Sequence, residues 1–114
     1  MLSRGFRLRK ATDFSRTYKL GKSYNNPALY IKAIESKASV TRIAVVVPKK
    51  VSKKAVDRNR DRRRIYEICR SEWDQIKPGY NIIITGKISL ETLKPAELKN
   101  IIFQGFKYLG IQKG

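Results

Sequence analysis

Apolar residues recur along this chain with two different periods. From Ala28 to Glu35 they alternate: Leu29, Ile31 and Ala33 fall on one side of an extended chain, Tyr30 and Lys32 on the other. A period of two is that of a half-buried strand. Arg42 to Val47 predicts a second strand that Pro48 ends, and only a short loop, Ser36 to Ser39, lies between the two. Their proximity predicts a hairpin. Tyr80 to Thr85, YNIIIT, predicts a buried strand after the breaker Lys77-Pro78-Gly79, and Tyr24-Asn25-Asn26-Pro27 predicts a turn.

The helical period governs the other segments. Thr12 to Leu20 predicts a short helix with Thr12 as N-cap, Asp13 in the first turn and Gly21 at C′. Phe14 and Tyr18 are i and i+4 on one face of it. Lys53 to about Asp74 predicts a long helix with a partial stripe of Ala55, Ile65, Ile68, Cys69 and Trp73. Its amino-terminal half is mostly polar and must lean on something other than a core. Gly86 to Leu93 reads as a loop. Pro95 suits the first position of a last helix, with Leu98, Ile102, Phe106 and Leu109 as its stripe and Gly105 a weak point inside it. The predicted order is α-β-β-α-β-α, an α+β two-layer α/β sandwich on a small sheet, in one domain spanning residues 1–114. A strand-helix-strand crossover joins the second and third strands, right-handed by default if those strands are parallel.

Composition sharpens this picture. The 114 residues are 41% hydrophobic and 31% charged, a globular balance. Lys and Arg number 26 against 9 acids, a net charge of +17, which concentrates nucleic acid or anionic membrane and opposes compaction. No apolar run nears the ~20 residues of a membrane span. The start, MLSRGFRLRK, lacks the apolar stretch of a signal peptide, and the single cysteine excludes an internal disulfide. These points lead us to expect a cytoplasmic protein without a membrane partner. The chain has no histidine, so it lacks the commonest general acid/base and metal ligand. Its carboxylates are scattered among bases. Composition thus argues against a usual zinc site, a two-metal carboxylate centre and phosphodiester cleavage by the protein alone, so no catalytic or metal-holding side chain is expected; nor do we expect a small-molecule substrate.

The charge is concentrated. Lys49 to Arg70 holds ten basic residues and three acids. Arg58 and Arg62 share a helix face at i and i+4, as do Arg60 and Arg64, and Asn59 both donates and accepts. Arginine forks match phosphates. The alternative is a solvated face, but such faces usually interleave both signs. If about six phosphates are contacted, log K falls with log salt with a slope of about −4 to −5. Phe14, Tyr18 and Tyr30 read either as core or as a stacking platform for unpaired bases. Spacing alone favours the core, and Tyr30 beside outward-facing Lys32 favours stacking. Cys69 reads as a buried structural thiol and Trp73 as a core anchor. Arg4, Arg7, Arg9 and Lys10 make either a nucleic-acid arm or a solvated, extended tail.

Lys49-Lys50 followed by Lys53-Lys54-Ala55-Val56-Asp57-Arg58-Asn59-Arg60 resembles the RNR signature of the bacterial ribonuclease P protein subunit family. Leu8-Arg9-Lys10, Asp13-Phe14 and Tyr18-Lys19-Leu20-Gly21-Lys22-Ser23 resemble its amino-terminal motif, and Tyr80 to Ile84 its third strand. The resemblance spans nearly the whole chain. It implies a non-catalytic partner of ribonuclease P RNA that assists endonucleolytic removal of the 5′ leader from precursor tRNA, with Mg2+ held mainly by the RNA and needed at lower concentration. It implies contacts to that RNA from Lys49, Lys50, Lys53, Lys54, Arg58, Asn59, Arg60, Arg62 and Arg63. It implies a leader cleft of Phe14, Tyr18, Tyr30 and Lys32. It also implies a left-handed βαβ crossover like that of domain 2 of ribosomal protein S5. Pro48, Asp57, Asp61 and Thr85-Gly86 depart from the family's usual pattern; Asp61 reads as a partner for neighbouring arginines, or as a residue placing hydrated magnesium. The competing readings are a structural RNA-binding protein of ribosomal type and a nuclease acting alone.

Overall fold

The computed structural model describes residues 4–113. Residues 1–3 and the side chain of Arg4 lie outside the described part, so the amino-terminal arm is described only from its Arg4–Phe6 3-10 turn onward. Helix α1 spans Ala11–Leu20, α2 Ala55–Ser71 and α3 Pro95–Leu109; strands β1 to β4 span Lys22–Asn25, Leu29–Glu35, Arg42–Val46 and Tyr80–Gly86. The α+β order expected from the sequence is present, with one short strand, β1, added between the first helix and the first predicted strand.

The strands form one sheet in the order β1-β2-β4-β3. The expected hairpin between β2 and β3 does not form. Strand β4 inserts between them, antiparallel to β2 and parallel to β3. The reason lies in β4 itself. Ile82, Ile83 and Ile84 are all fully buried, so this strand needs cover on both faces and neighbours on both edges. The hairpin is instead β1-β2, closed over Asn26-Pro27, where Asn26 Oδ1 accepts the Ala28 amide at 2.8 Å. A crossover through α2 joins the parallel pair β3 and β4.

One sheet face, carrying Leu29, Ile31, Ile43, Val45, Ile82 and Ile84, packs under α2 and α3 through Ile65, Tyr66, Cys69, Leu98, Ile102 and Phe106. This is the main core of the sandwich. On the other face a smaller cluster of Leu8, Ala44 and Ile83 receives Phe14 of α1. Ala55 is exposed rather than part of the α2 stripe, which runs Asp61, Ile65, Tyr66 and Cys69. The long helix also ends earlier than expected, and Trp73 sits in a separate 3-10 turn, half-buried, with its ring 5.2 Å from that of Phe6.

Helix α1 begins one residue earlier than expected. Its N-cap is Lys10, without a side-chain cap bond, and Thr12 lies inside the helix. Gly21 ends it in an extended conformation (φ −73°) rather than a left-handed one. Glycine is required there for space: a Cβ would lie 2.4 Å from the Thr17 carbonyl oxygen and 2.9 Å from that of Ala33. Gly105 likewise lets α3 approach the sheet, since a Cβ would meet Ile31 Cδ1 at 2.6 Å and Tyr24 at 2.7 Å. What reads as a weak point in the helix is a contact point with the sheet.

Candidate nucleic-acid interface

The sheet register decides where the sequence-selected aromatics go. Asn25, Tyr30, Thr85 and Val46 are cross-strand partners in one row, and Ser23, Lys32, Ile83 and Ala44 in the next. Tyr30 and Lys32 thus share the sheet face on which Phe14 packs. Phe14 is half-buried against that face, and its ring lies 6.4 Å from that of Tyr18, which is 40% exposed. The structure brings the four residues together on one face. Lys32 also closes off a helix end, because its ammonium donates to the Gly21 carbonyl at 3.3 Å, just past the carboxyl terminus of α1.

Tyr30 opens into a groove of about 400 Å³ lined also by Asn25, Pro48, Lys50, Val51, Thr85 and Lys87. Lys87 Nζ donates to Asn25 Oδ1 at 2.9 Å, and the Thr85 hydroxyl is buried without a partner. Sequence reasoning missed Lys87 and Asn25. The signal available was a lysine directly after the central strand, at the same sheet end as Tyr30.

The basic run divides into two kinds of residue. Lys49, Lys50, Lys53, Lys54 and Arg63 are exposed. The first four surround the amino terminus of α2, where cations oppose the helix dipole, and Asp57 is the only acid in that first turn. The other arginines are engaged within the chain. Arg58 donates to the carbonyls of Ser52 and Lys53, at 3.0 and 2.8 Å, and fixes the turn ahead of the helix. Arg62 donates to Asn59 Oδ1. Arg60 faces Asp57 at 3.5 Å, Glu91 at 3.8 Å and Asp61 at 4.0 Å. Arg64 donates to the carbonyls of Leu90 and Leu93 and clamps that loop onto α2.

Asp61 is fully buried, with Oδ2 accepting the Leu90 amide at 3.3 Å. Its Oδ1 lies 4.0 Å from Arg60 Nε, an ion pair of the expected kind without a hydrogen bond. Burial beneath the loop takes the carboxylate away from hydrated ions in solvent. The described residues contain no group of three or more Cys, Asp or Glu side chains that could hold a metal ion. Burial pushes the Cys69 thiol up to about 12, so it is no nucleophile at neutral pH. No described helix is long and apolar enough to cross a membrane. The surface offers cations, aromatic rings and hydrogen-bond donors, which suit binding of a polyanion with unpaired bases.

Known proteins resemble this chain in sequence and fold. The Ribonuclease P family profile matches residues 2–110. A ribonuclease P protein component from Clostridioides difficile (strain 630) is 42% identical over 95 residues, covering 82% of this chain and 80% of that protein. Another from Pseudanabaena sp. (strain PCC 6903) is 38% identical over 109 residues, covering 90% and 92%. Among solved structures, an RNase P protein from Staphylococcus aureus superposes with a TM-score of 0.82 at 25% identity over 93% of this chain and 96% of that one. The RNase P protein from Thermotoga maritima gives 0.78 at 26% identity, over 86% and 92%.

Proposed function

This chain belongs to the ribonuclease P protein family, and from that premise we propose how it serves as the protein component of that tRNA-processing endoribonuclease. The exposed cations around the amino terminus of α2 dock on the catalytic RNA. The face of Phe14, Tyr18, Tyr30 and Lys32, with its groove, holds the single-stranded 5′ leader of precursor tRNA. The RNA performs the cleavage, and the protein acts in the cytoplasm.

The observation that carries this reading is the division of the surface. Five exposed cations of the basic run, Lys49, Lys50, Lys53, Lys54 and Arg63, have side chains free of intramolecular partners among the described residues. Separately, an exposed tyrosine and a half-buried one share a sheet face beside a groove lined by two lysines. Stacking accepts any base, at ~1–3 kcal/mol each, so the leader is held with little sequence preference. Magnesium, which supplies Lewis-acid activation of water, has no ligand cluster among the described residues and would be held by the RNA. The chain's own part is charge and position. Catalytic RNA and precursor are both polyanions, and cations placed where they meet lower the ionic concentration their approach requires.

The experiment is leader cleavage by the catalytic RNA at limiting magnesium, with and without the protein. The protein is expected to raise the rate there and to have little effect at high magnesium. Unchanged rate and unchanged precursor binding at every magnesium concentration would sink the proposal.

A further inference from the structure

A polar pocket of about 260 Å³ lies at the end of the β2–β4 ladder away from Tyr30. It is lined by Asp13, Arg16, Glu35, Ser36, Lys37 and Asn81. Helix α1 supplies the first two, the end of β2 and the loop after it the next three, and β4 the last. The length of β2 from Tyr30 to Glu35 puts the pocket about 17 Å from Tyr30. Asn81 is flanked by Ile34 of β2 and Arg42 of β3. It precedes Ile83 by one alternation of the strand, so its side chain is on the face that receives Phe14. The backbone around the pocket is tied. The Ser36 amide donates to the Gly79 carbonyl at 2.7 Å, and the Ser36 hydroxyl accepts the Ala38 amide at 3.1 Å. The Thr41 hydroxyl accepts the Tyr80 amide at 3.1 Å and donates to the Lys77 carbonyl at 2.6 Å. These bonds hold the β2–β3 loop against the start of β4, so the pocket is preformed.

Its polar groups are left without partners. Asn81 is only 5% exposed, and its Oδ1 is buried with no hydrogen bond. A buried acceptor costs stability unless a donor meets it. Around Asn81 stand two acids and two bases. Among the described residues, no side-chain ion pair or hydrogen bond engages Asp13, Arg16, Glu35 or Lys37. Acceptors and donors thus remain available across one cavity. A small anion or a metal ion would meet a like charge there. A nucleobase is neutral and carries donors and acceptors on adjacent edges, so it suits both signs.

We propose that this pocket holds one unpaired guanine base of an RNA strand. Guanine offers more donors than the other bases: N1–H and the N2 amino group, side by side on its Watson–Crick edge. These face the Asp13 and Glu35 carboxylates and Asn81 Oδ1. Its O6 and N7 accept from Arg16 and Lys37, as arginine and lysine commonly read guanine. Adenine and cytosine present a single amino group and uracil a single N–H, so each leaves an acceptor of the pocket unmet. Unpaired bases are recognised by such edges once they are splayed out of a stack. The pocket shares a sheet face with Phe14, Tyr18 and Tyr30 but not their groove. A leader that reached it would gain a preference at one position on an otherwise sequence-tolerant face. Use by RNA rests on the role proposed above; guanine binding does not.

The test uses the full chain and guanosine, which has no phosphate and so escapes the chain's general attraction for anions. Titrated against the isotope-labelled chain, guanosine is expected to give saturable shifts at the Asn81 side-chain amide and the Ser36 and Lys37 amides. Inosine, which lacks the N2 amino group, should bind about tenfold more weakly, as should adenosine, cytidine and uridine. Asn81→Val suits a strand. It should weaken guanosine about tenfold and raise the urea midpoint, because it removes a buried unpartnered acceptor. Glu35→Gln, at an exposed and unpaired side chain, should weaken guanosine at unchanged stability. Equal shifts from all nucleosides, shifts that do not saturate, or unchanged guanosine affinity in both variants would overturn the pocket. Two arms identify the strand. If the leader supplies the base, precursor tRNAs with one guanine moved along an all-uridine leader should bind the holoenzyme tighter at one position, and Asn81→Val should abolish that gain. If the catalytic RNA supplies it, Asn81→Val should weaken assembly several-fold whatever the leader. Neither effect would overturn the use by RNA. Failure of the unaltered chain to assemble with the catalytic RNA would count against the role proposed above, and guanosine binding would still decide the pocket.

Discussion

Tyr66 shows how much one hydroxyl can do at a sheet edge. Strand β3 is one of the two outer strands, and its Val45 amide donates to the Tyr66 hydroxyl at 3.2 Å. Tyr66→Phe keeps the packing and strands that amide, which should cost about 1–3 kcal/mol in urea denaturation. The pH dependence follows. Burial raises the Tyr66 hydroxyl above its ordinary 10.0, so the folded chain holds this proton more tightly than the unfolded one. The corresponding stability is complete below that ordinary value and is lost as pH rises through the raised one. The difference in stability between the native chain and Tyr66→Phe should therefore shrink above about pH 10; a flat difference would refute this role. Cys69 yields a simpler expectation. Fully buried, with its thiol pushed up to about 12, it should resist a thiol reagent at neutral pH and react once urea unfolds the chain. Single cysteines placed along 53–64 could then be labelled natively without first replacing it. Neither the Tyr66 hydroxyl bond nor the burial of Asp61 under the Leu90 amide was legible in the sequence. A carboxylate in KKAVDRNRDRRR is surrounded by partners, and nothing in that string says the Leu90 amide will fold down over it.

Among the elements, the helices and three strands were legible because their periods are strong. Strand β1 was not: KSYN lacks alternation of apolar residues, and only pairing with β2 makes it extended. Proximity along the chain misleads about the order of strands, although the isoleucine run of β4 carries the correct signal of a central position. The glycines mislead for a related reason. Gly21 and Gly105 invite a local conformational meaning, whereas each marks a tertiary approach. This gives an ordering that thermal or urea denaturation can check. Gly105→Ala gains about 1 kcal/mol of helix propensity but forces a methyl against Ile31 and Tyr24, side chains that can partly yield. A net loss of about 1–2 kcal/mol is expected. Gly21→Ala meets two backbone carbonyls, which cannot yield without moving α1 off the sheet, so its loss should exceed about 3 kcal/mol. If Gly105→Ala proves the more damaging, close approach is the wrong cause for both.

At the scale of the molecule, a net charge of +17 on 114 residues is a standing repulsion that salt screens and a bound polyanion relieves. The fold then sorts this charge, which a count cannot do. Arg58, Arg60 and Arg64 are largely engaged by the chain itself, while the lysines around the α2 amino terminus face outward. In the sequence the expected contacts form one uniform run, because i, i+4 spacing places residues on a face without saying what covers that face. On the proposed reading, this sorting separates two functions that can be broken independently. Tyr18→Ala removes a 40% exposed ring from the face proposed to hold the leader. It should weaken binding of precursor tRNA to the holoenzyme by roughly 5- to 100-fold, the worth of one stacked base, and leave mature tRNA binding nearly unchanged. Lys53→Ala/Lys54→Ala should weaken assembly with the catalytic RNA and lower its salt slope by about 1–2, without discriminating precursor from mature tRNA once the complex is saturated. Because the ring and the lysines lie on different elements with no shared partner, the combined variant should show the two losses added within about 0.5 kcal/mol. Equal weakening of precursor and mature tRNA by Tyr18→Ala would mean that the aromatic face does not read the leader. The structural RNA-binding alternative would then account for the surface better.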